Sequence, residues 1–535
     1  MPLRIDRSPL TAGAHCCKPS LCTDPLASAR TPRWLITLAL LAILAGIGLR
    51  LTHLDGKLLW HDEAHTALRV SGYSTAVFVG AVFDNRVITR DALLEFQRPA
   101  LGHGFADTLR ALITRPEHGP LYYVAARAGF LFTEDAKLAT RGVAALFSLL
   151  LLPGVFWLWR ELFGGGPGAW IILGLIALSP FQLVYAQEAR QYSLWAVMTV
   201  AVCAALLRAH RRNDRASWAL YAWLVTLGLY THLMLAVLVA AQALWLAWVA
   251  RAQWRSFALA LLAAVALFSP WLLLFHGGLR DVANVTGWMR QEIPFERLSG
   301  AWGMHLVRQF VDGIGPVLAW LPPVLVLLLY GIFRTARSAP VPARRLLFLL
   351  LLVTLGSVIG PDLIGGGRRS QEARYLLPAF LVLMFMVAYG LAQALEDPRR
   401  VPRILVLSVW MGLLGLGLGS GLKFVQAESW WNKSLSSHNG EVARQIDAAA
   451  RPLVICQNGD INPGEILSVA HEVQAKTRFL PIRSDYLPEL TRLDGEVFLL
   501  NPSPALIAHF AAHGDVRELH RAGRLWGVSP RHGSS

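Results

Sequence analysis

The sequence predicts an all-α polytopic membrane protein with a small α/β domain at its C-terminal end. Of the 535 residues, 54% are hydrophobic and only 16% are charged, which is too little charge to cover a soluble protein of this size. The apolar residues form runs of about 18–22 residues, the length of a helix that crosses a bilayer core of ~30 Å. After about Lys423 the charge rises and the apolar runs shorten, which predicts a separate domain.

The formal net charge of +15 does not indicate a nucleic-acid-binding protein. Lys and Arg lie in short clusters between the apolar runs, as in the cytoplasmic loops of membrane proteins. The five cysteines are too few and too scattered for a disulfide framework. Cys16, Cys17 and Cys22 lie in a polar N-terminal tail (1–33), which we expect to be a disordered cytoplasmic segment rather than a metal site.

The basic clusters give each span its direction, because loops rich in Lys and Arg stay in the cytoplasm. A first span over about 34–52 is too long for a signal-peptide core and runs outward. We expect ten further spans at about 139–159, 167–185, 190–208, 216–231, 233–250, 256–275, 316–333, 346–364, 374–394 and 402–422. Eleven spans place the N-terminus in the cytoplasm and the C-terminus outside.

Two external segments follow from this topology. The first, about 53–137, ends with the apolar run Pro120–Phe132, which has Arg127 in its middle and is too short to span. We expect this run to form an interfacial or partly re-entrant helix. The second, 276–315, is expected to lie on the membrane surface.

The C-terminal part, 423–535, shows alternating strand and helix patterns. The strand patterns cover 452–456, 477–482 and 496–500, and the helical patterns lie near 437–450, 464–474 and 504–513. This alternation predicts a small extracytoplasmic α/β domain. It contains no recognisable catalytic motif.

Unusual polar residues collect on the external face of the predicted membrane domain, 34–422. Asp62 and Glu63 directly follow the first span, between His61 and His65. The others lie at the external ends of later elements: Glu117, His118, Arg141, Glu188, Arg190, Tyr192, His232, Arg374 and Tyr375. Ionisable residues at membrane depth are normally paired and functional.

Each of these residues also has a plainer structural interpretation. Asp62 and Glu63 could be solvated loop acids, and Arg190 and Arg374 could bridge structural acids. His232 could be an aromatic residue of the membrane interface.

The chemistry that suits this pattern is transfer from a phosphate-linked donor. A carboxylate near an acceptor group can act as a general base, and arginines bind a phosphate leaving group bidentately. Nucleotide sugars are cytosolic, so an external site implies a lipid-linked donor.

Four motifs resemble the GT-C membrane glycosyltransferases, in particular the family-39-like branch of protein O-mannosyltransferases and lipid A aminoarabinose transferases. They are Trp60-His61-Asp62-Glu63-Ala64, Glu117-His118-Gly119-Pro120-Leu121-Tyr122-Tyr123, Gln187-Glu188-Ala189-Arg190-Gln191-Tyr192 and Glu372-Ala373-Arg374-Tyr375-Leu376-Leu377-Pro378. The resemblance covers roughly 34–395. Where relatives have His-Pro-Pro, this chain has His118-Gly119-Pro120.

The resemblance implies an inverting transfer of a sugar from a polyprenyl-phosphate carrier to a glycan, lipid or protein acceptor, outside the cytoplasmic (inner) membrane. Asp62 would be the catalytic carboxylate and Glu63 its supporting neighbour, while Arg190 and Arg374 would hold the donor phosphate. We expect no cofactor. More distant oligosaccharyltransferase relatives use a divalent cation, which Asp62, Glu63 and Glu188 could ligate, but a metal is not favoured.

Two other functions fit parts of the pattern. A ligase that moves a glycan from a polyprenyl-diphosphate carrier would also have external His and Arg residues, but the early Asp62-Glu63 pair argues against it. A transporter or flippase of lipid-linked sugars would tend to show inverted repeats and charges at the midplane. The sequence shows no clear repeat, and its charges lie on one face.

Overall fold

The computed structural model describes residues 31–115, 117–276, 286–396, 403–459 and 461–530. The predicted tail, 1–33, with its three cysteines, lies outside these ranges except for its last three residues. The described chain is mostly helical and ends in a small sheet, which confirms the predicted fold class.

The membrane bundle is built from eleven apolar segments. Its helices are α1 (Arg33–Leu51), α7 (Ala136–Leu149), α8 (Leu151–Phe163), α9 (Pro167–Leu178), α10 (Pro180–Gln187), α11 (Tyr192–Arg212), α12 (Arg215–Thr231), α13 (Leu235–Val249), α14 (Trp254–His276), α16 (Leu321–Ser338), α17 (Val341–Gly365), α18 (Leu377–Glu396) and α19 (Arg403–Gln426). The first predicted span is α1, α7 with α8 forms the second, and α9 with α10 forms the third. Helices α11 and α18 are buried along almost their whole length and form the centre of the bundle.

Over the described residues, eight helices are long and apolar enough to cross a membrane, and the bent pair α9–α10 makes a ninth if it counts as one span. The protein is therefore an integral membrane protein. Helices α12 and α13 have only 17 and 15 residues. Every predicted span is thus a helix, and the count of eleven crossings stays a prediction.

The third span is broken where the sequence places a capping residue and a proline. Ser179 accepts a hydrogen bond from the Gln182 amide, and Pro180 occupies the first position of α10. A proline has no N–H to continue the preceding helix and suits the start of a new one. The axes of α9 and α10 differ by 54° in consequence, and α10 ends next to the Glu188–Arg190 motif.

The segment 53–137, which the sequence predicts to be external, contains short helices that the sequence does not predict. These are α2 (His61–Val70), α3 (Thr75–Val82), α4 (Arg90–Leu94) and α5 (Phe105–Ile113), and a two-residue strand, β1 (Ile88–Thr89), lies between α3 and α4.

Helix α6 (Pro120–Gly129) follows where a short non-spanning helix is predicted. It packs against α5, α7 and α12, and its Tyr122 and Tyr123 side chains are fully buried. Arg127, in its middle, donates to the carbonyl oxygens of Val70 and His103, which accounts for a cation in this apolar run. The second external segment contains α15 (Phe295–Val307).

The C-terminal part contains the three predicted strands and the three predicted helices. They are α20 (Asn439–Asp447), β2 (Pro452–Gln457), α21 (Asn462–Glu472), β3 (Arg478–Ile482), β4 (Glu496–Leu500) and α22 (Pro504–His513). A final hairpin, β5 (Gly514–His520) and β6 (Leu525–Pro530), was not predicted. Strand β5 is an edge strand with mostly exposed polar residues, so it lacks the apolar alternation that marks a strand in a sequence.

The sheet has six strands in the order β1-β3-β2-β4-β6-β5. Strands β3, β2 and β4 are parallel, with Leu453 opposite Arg478 and Val497, whereas β1 and β6 add antiparallel to the two sides. Strand β1 comes from the first external segment. That segment and the C-terminal part therefore share one sheet, and they also share a hydrophobic core in which Leu68 and Phe78 cluster with Val454 and Ile466.

Candidate active site

Asp62 and Glu63 lie in the first turn of α2. Acidic side chains are favoured there because a helix N-terminus carries a partial positive charge. Glu63 also accepts a hydrogen bond from the Trp60 amide at 3.3 Å, which caps the helix. One turn further on, Ala64, Ala67 and Leu68 are buried in the core shared with the C-terminal part. The helix is thereby fixed with its acidic end towards the bundle.

Glu63 is fully buried and completely bonded within the protein. Its carboxylate accepts two hydrogen bonds from Arg141, Nε to Oε1 at 2.9 Å and Nη2 to Oε2 at 2.6 Å, and one from the Ala189 amide at 2.7 Å. A carboxylate held in this way has no free lone pair turned towards a substrate. Its position under the loop that carries Glu188 and Arg190 makes it a positioning group.

Arg141, one of the polar residues that the sequence places at the external face as candidates for donor or substrate binding, is also buried. Besides Glu63, its guanidinium donates to the carbonyl oxygens of Leu54, Lys57 and Leu58 at 2.8–2.9 Å. Together these bonds use all five N–H groups of the side chain. Arg141 thus ties α7 to the loop between α1 and α2, and it has no donor left for a ligand.

Asp62, in contrast, is the accessible carboxylate of the pair, with 25% of its side chain exposed. Its Oδ2 lies 3.7 Å from Arg190 Nη2 and 3.5 Å from Arg374 Nη1. Arg190 also donates to the Thr66 hydroxyl, and Arg374 pairs with Glu372 at 3.3 Å. The structure therefore brings together three residues that are far apart in the sequence, as the motifs predict.

The two arginines control the protonation of Asp62. Burial by itself would raise the pKa of this carboxyl, but the positive charges of Arg190 and Arg374 outweigh burial and hold the pKa well below its usual range. Asp62 is consequently ionised at neutral pH. Burial would lower the pKa of Arg190, but the neighbouring Tyr123 and Asp62 raise it above its usual value, so this guanidinium stays charged.

On one side of Asp62, Glu188 forms a buried ion pair with Lys433. Lys433 Nζ lies 2.6 Å from Glu188 Oε2, while Glu188 Oε1 is buried without a partner. Burial raises the pKa of Glu188. Lys433 belongs to the polar segment between α19 and α20, and it is not predictable as a site residue because no motif surrounds it in the sequence.

On the other side of Asp62 lies a second polar group, formed by Glu117, His118, His65, Arg69 and Arg115. Glu117 Oε1 is 3.9 Å from both Arg115 Nη1 and His118 Nε2, too far for a hydrogen bond, and both Glu117 oxygens are buried without a partner. Burial, then Arg190, lowers the pKa of His118, so this ring is neutral. Arg69 and Arg115 were not predicted, because single arginines in a polar segment are indistinguishable from solvated ones.

Aromatic rings line the remaining side of the site. Tyr192 lies 5.9 Å from the guanidinium carbons of both Arg190 and Arg374, and Tyr375 lies 5.5 Å from that of Arg374. His232 stacks on Trp195 with ring centroids 5.1 Å apart, and burial lowers its pKa to about 4. All the predicted site residues therefore lie in one region, with Glu63 and Arg141 beneath it.

A three-residue group with metal-ligand chemistry is found elsewhere. Over the described part of the chain, only His438, Glu441 and His520 place three such ligand atoms within 4.8 Å of one another. The His520 Nδ1 atom accepts a hydrogen bond from the Gly523 amide at 2.8 Å, which leaves the proton of the neutral ring on Nε2, the atom that faces Glu441. That nitrogen is a donor and not a free metal ligand.

No family model and no curated protein matches the chain. ArnT from Cupriavidus metallidurans bound to undecaprenyl phosphate is 14% identical with a TM-score of 0.55, covering 93% of this chain and 98% of that one. ArnT from the same organism in the apo state is 14% identical with a TM-score of 0.53, and the match covers 93% of this chain and 97% of that one. The oligosaccharyltransferase from Archaeoglobus fulgidus, in complex with Zn and sulfate, is 13% identical with a TM-score of 0.48, and the match covers 92% of this chain and 73% of that one.

The two ArnT structures match nearly the whole length of both chains. At 14% sequence identity the match shows a shared fold, and it confirms the predicted resemblance for the fold. This chain has the fold of the GT-C membrane glycosyltransferases.

Proposed function

We propose that this protein is a glycosyltransferase that moves a sugar from a polyprenyl-phosphate donor to an acceptor on the extracytoplasmic face of the cytoplasmic membrane, with inversion. The observation that carries the proposal is the accessible Asp62 carboxylate, which lies 3.5–3.7 Å from the buried Arg190 and the partly buried Arg374. A structure with the same fold was solved with undecaprenyl phosphate bound, which supports a lipid phosphate as the carrier.

In the proposed reaction the donor phosphate binds between Arg190 and Arg374. Asp62 removes the proton from the acceptor group as that group attacks the anomeric carbon. The new bond to the sugar forms as the bond from the anomeric carbon to the phosphate oxygen breaks, and the polyprenyl phosphate leaves with the electron pair. The two guanidinium groups stabilise the charge on the departing phosphate. Attack opposite the leaving group inverts the anomeric centre.

The arginines also make the basicity of Asp62 depend on whether the donor is bound. In the site as it stands, their charges make Asp62 a weak base. A bound phosphate shares those charges and raises the pKa of Asp62. The carboxylate therefore becomes a better proton acceptor when the donor is in place.

The three acids that the sequence offers as ligands of a divalent cation, Asp62, Glu63 and Glu188, each face at least one cationic side chain. Glu63 is fully bonded to Arg141 and the Ala189 amide, Glu188 is paired with Lys433, and Asp62 faces two guanidinium groups. A cation at Asp62 would have to displace these charges. We therefore propose that the transfer needs no metal and no other cofactor.

The remaining polar groups suit a sugar ring. The unpartnered Glu117 carboxylate and the neutral His118 and His232 can accept or donate hydrogen bonds to hydroxyl groups, next to the Tyr192 ring. The acceptor is a glycan, a lipid or a protein that reaches this face of the membrane. The N-terminus would be cytoplasmic and the C-terminal part extracytoplasmic.

The experiment that tests the proposal is a transfer assay on the purified protein in lipid, with a panel of radiolabelled polyprenyl-phosphate sugars. We expect one carrier to be consumed by the wild type, and Asp62→Asn to lose transfer by at least about 10²-fold, the lower end for a general base. The variant should still bind the donor, because removing a carboxylate leaves both arginines free for the phosphate.

Unchanged transfer by Asp62→Asn would remove Asp62 from the mechanism. Consumption of a polyprenyl-diphosphate glycan instead of any monophosphate sugar would favour the ligase function. Movement of a lipid-linked sugar across the membrane without transfer would favour a flippase.

A further inference from the structure

Lys433 is a buried cation at the active site that the mechanism above does not use. We propose that it is a third phosphate-binding cation, held by Glu188 in the empty site and bound to the donor phosphate when the donor enters. This inference rests on the proposed function and adds a residue from the segment that joins the last span to the external sheet.

The surroundings of Lys433 are those of a binding group rather than of a surface lysine. Only 7% of its side chain is exposed, and its ammonium lies 4.4 Å from the Trp60 ring centroid, 5.4 Å from that of Tyr185 and 5.8 Å from that of Trp430. Aromatic faces stabilise a cation that has lost water. Among the described residues, Glu188 Oε2 is the hydrogen-bond acceptor of the ammonium, which leaves two of its three N–H groups for a further acceptor.

The segment that carries Lys433 is fixed on both sides of the site. The Trp430 indole donates to the Leu58 carbonyl oxygen at 2.9 Å, and the Trp431 indole donates to Asp312 at 3.1 Å. Leu58 lies in the loop just before Asp62, and Asp312 follows α15. The lysine is therefore presented to the site by an anchored turn, whose Lys433 amide also donates to the Trp430 carbonyl oxygen.

Lys433 belongs to the same electrostatic group as the two arginines. Both Arg374 and Lys433 act on the Asp62 carboxylate and on the Glu188 carboxylate. Arg190, Arg374 and Lys433 are the Lys and Arg cations whose charges lower the pKa of Asp62. Loss of the Lys433 charge would therefore weaken the attraction for an anionic phosphate at this position.

Glu188 is the positioning residue in this arrangement. In the site without donor it holds the ammonium next to the phosphate position, and its second oxygen has no partner. When the phosphate arrives, it competes with Glu188 for Lys433. The two members of the ion pair should then affect donor binding in opposite directions, which a purely structural ion pair would not do.

The test is equilibrium binding of undecaprenyl phosphate to the full-length protein in lipid nanodiscs, which needs no sugar and no transfer. We expect Lys433→Gln to weaken binding by roughly ten- to a hundred-fold, the range for one charged hydrogen bond. Glu188→Gln should bind as well as the wild type or more tightly. Lys423→Gln is the matched control, because Lys423 donates to the Gly313 carbonyl oxygen outside the site, and its binding should not change.

The thermal unfolding temperature of each variant shows whether it is folded, and Lys433→Arg, which keeps the charge, should recover most of the affinity. Unchanged binding by Lys433→Gln would overturn the inference and leave the proposed function standing. Equal weakening by Lys433→Gln and Glu188→Gln would also overturn it, because it would show a structural ion pair. No binding by the wild type would overturn both the inference and the polyprenyl-phosphate donor.

Discussion

Asp62 and Glu63 are adjacent in the sequence but have opposite surroundings in the structure. Because successive residues of a helix differ in direction by about 100°, one carboxylate faces the open site and the other faces Arg141 beneath it. The acid pair after the first span could be recognised from the sequence. Which of the two is accessible depends on where α7 places Arg141, and the local sequence pattern does not reveal this long-range contact.

Breaking the Glu63–Arg141 pair should both lower the free energy of unfolding and abolish transfer. We expect Glu63→Gln to cost about 3–5 kcal/mol, because it leaves a buried guanidinium without its counter-charge. Thermal unfolding in detergent measures the effect. The control is Glu428→Gln, which breaks an exposed pair with Arg444 and should cost less than about 1 kcal/mol. A stable but inactive Glu63→Gln would instead give Glu63 a part in the chemistry.

Lys57 should make the stability of the protein depend on pH. Its ammonium is buried against the Phe424 ring at 4.0 Å, and burial, followed by the charge of Arg141, lowers its pKa from 10.5 to about 7. Between about pH 7 and 10.5 the unfolded chain therefore binds a proton that the folded protein has released, so the free energy of unfolding rises with pH.

The measurement for Lys57 compares the wild type with Lys57→Met between pH 7 and pH 10. The unfolding temperature of the wild type should rise relative to that of the variant across this interval. A constant difference would show that Lys57 keeps its proton in the folded state, bound to Gln187.

At the scale of the elements, the sequence predicts long apolar helices well and short amphipathic ones poorly. Every predicted span is a helix because a run of about 20 apolar residues has no other stable form in a bilayer. The bend between α9 and α10 follows from Ser179 and Pro180, although the apolar pattern predicts one continuous span over 167–185. Helix α2 has only 10 residues, six of them polar, and forms because it packs against its neighbours.

Helix α21 is the element that fixes the start of α2. Glu465 of α21 accepts a hydrogen bond from the Ser436 hydroxyl at 2.5 Å and lies 3.5 Å from His61 Nδ1, while the His61 amide donates to Ser436 at 2.9 Å. Gly464 faces the same ring so closely that a Cβ there would lie 2.4 Å from His61 Nδ1. The position of Asp62 therefore depends on a contact with the C-terminal part.

Gly464→Ala should push His61 and the first turn of α2 away from Arg190 and Arg374. We expect a loss of about 1–3 kcal/mol in stability, typical of overpacking, together with reduced transfer. Gly440→Ala in the first turn of α20 is the matched control, because its Cβ would meet only Arg444 Nη1 at 3.8 Å. The control should be neutral or slightly stabilising. Full activity of Gly464→Ala would show that α2 does not need this contact.

At the scale of the whole molecule, the proposal requires the external sheet and the site on one side of the membrane and the loop after α11 on the other. Tyr486 is exposed between β3 and β4, and Arg212 is exposed at the end of α11. In a variant with all five cysteines replaced, an impermeant maleimide applied to intact spheroplasts should label Tyr486→Cys. It should label Arg212→Cys only after permeabilisation.

The reverse labelling pattern would place Asp62 in the cytoplasm and remove the reason for a lipid-linked donor. The cysteine-free protein without either substitution is the control for non-specific labelling. The sequence predicts this orientation from its arginine clusters. It could not predict that Lys433, Arg69 and Arg115 join the site, since their proximity to Asp62 exists only in the folded chain.

The strand β1 has a consequence for biosynthesis. The ribosome delivers residues 88–89 to the membrane long before residues 478–479, yet these two stretches pair in the finished sheet. Helix α2 must likewise await α21, and Glu188 must await Lys433. A nascent chain therefore carries an unfinished site through almost the whole of translation, and a prematurely terminated chain would lack the residues that close it. The site around Asp62 is therefore complete only after the residues that follow the last span have been made.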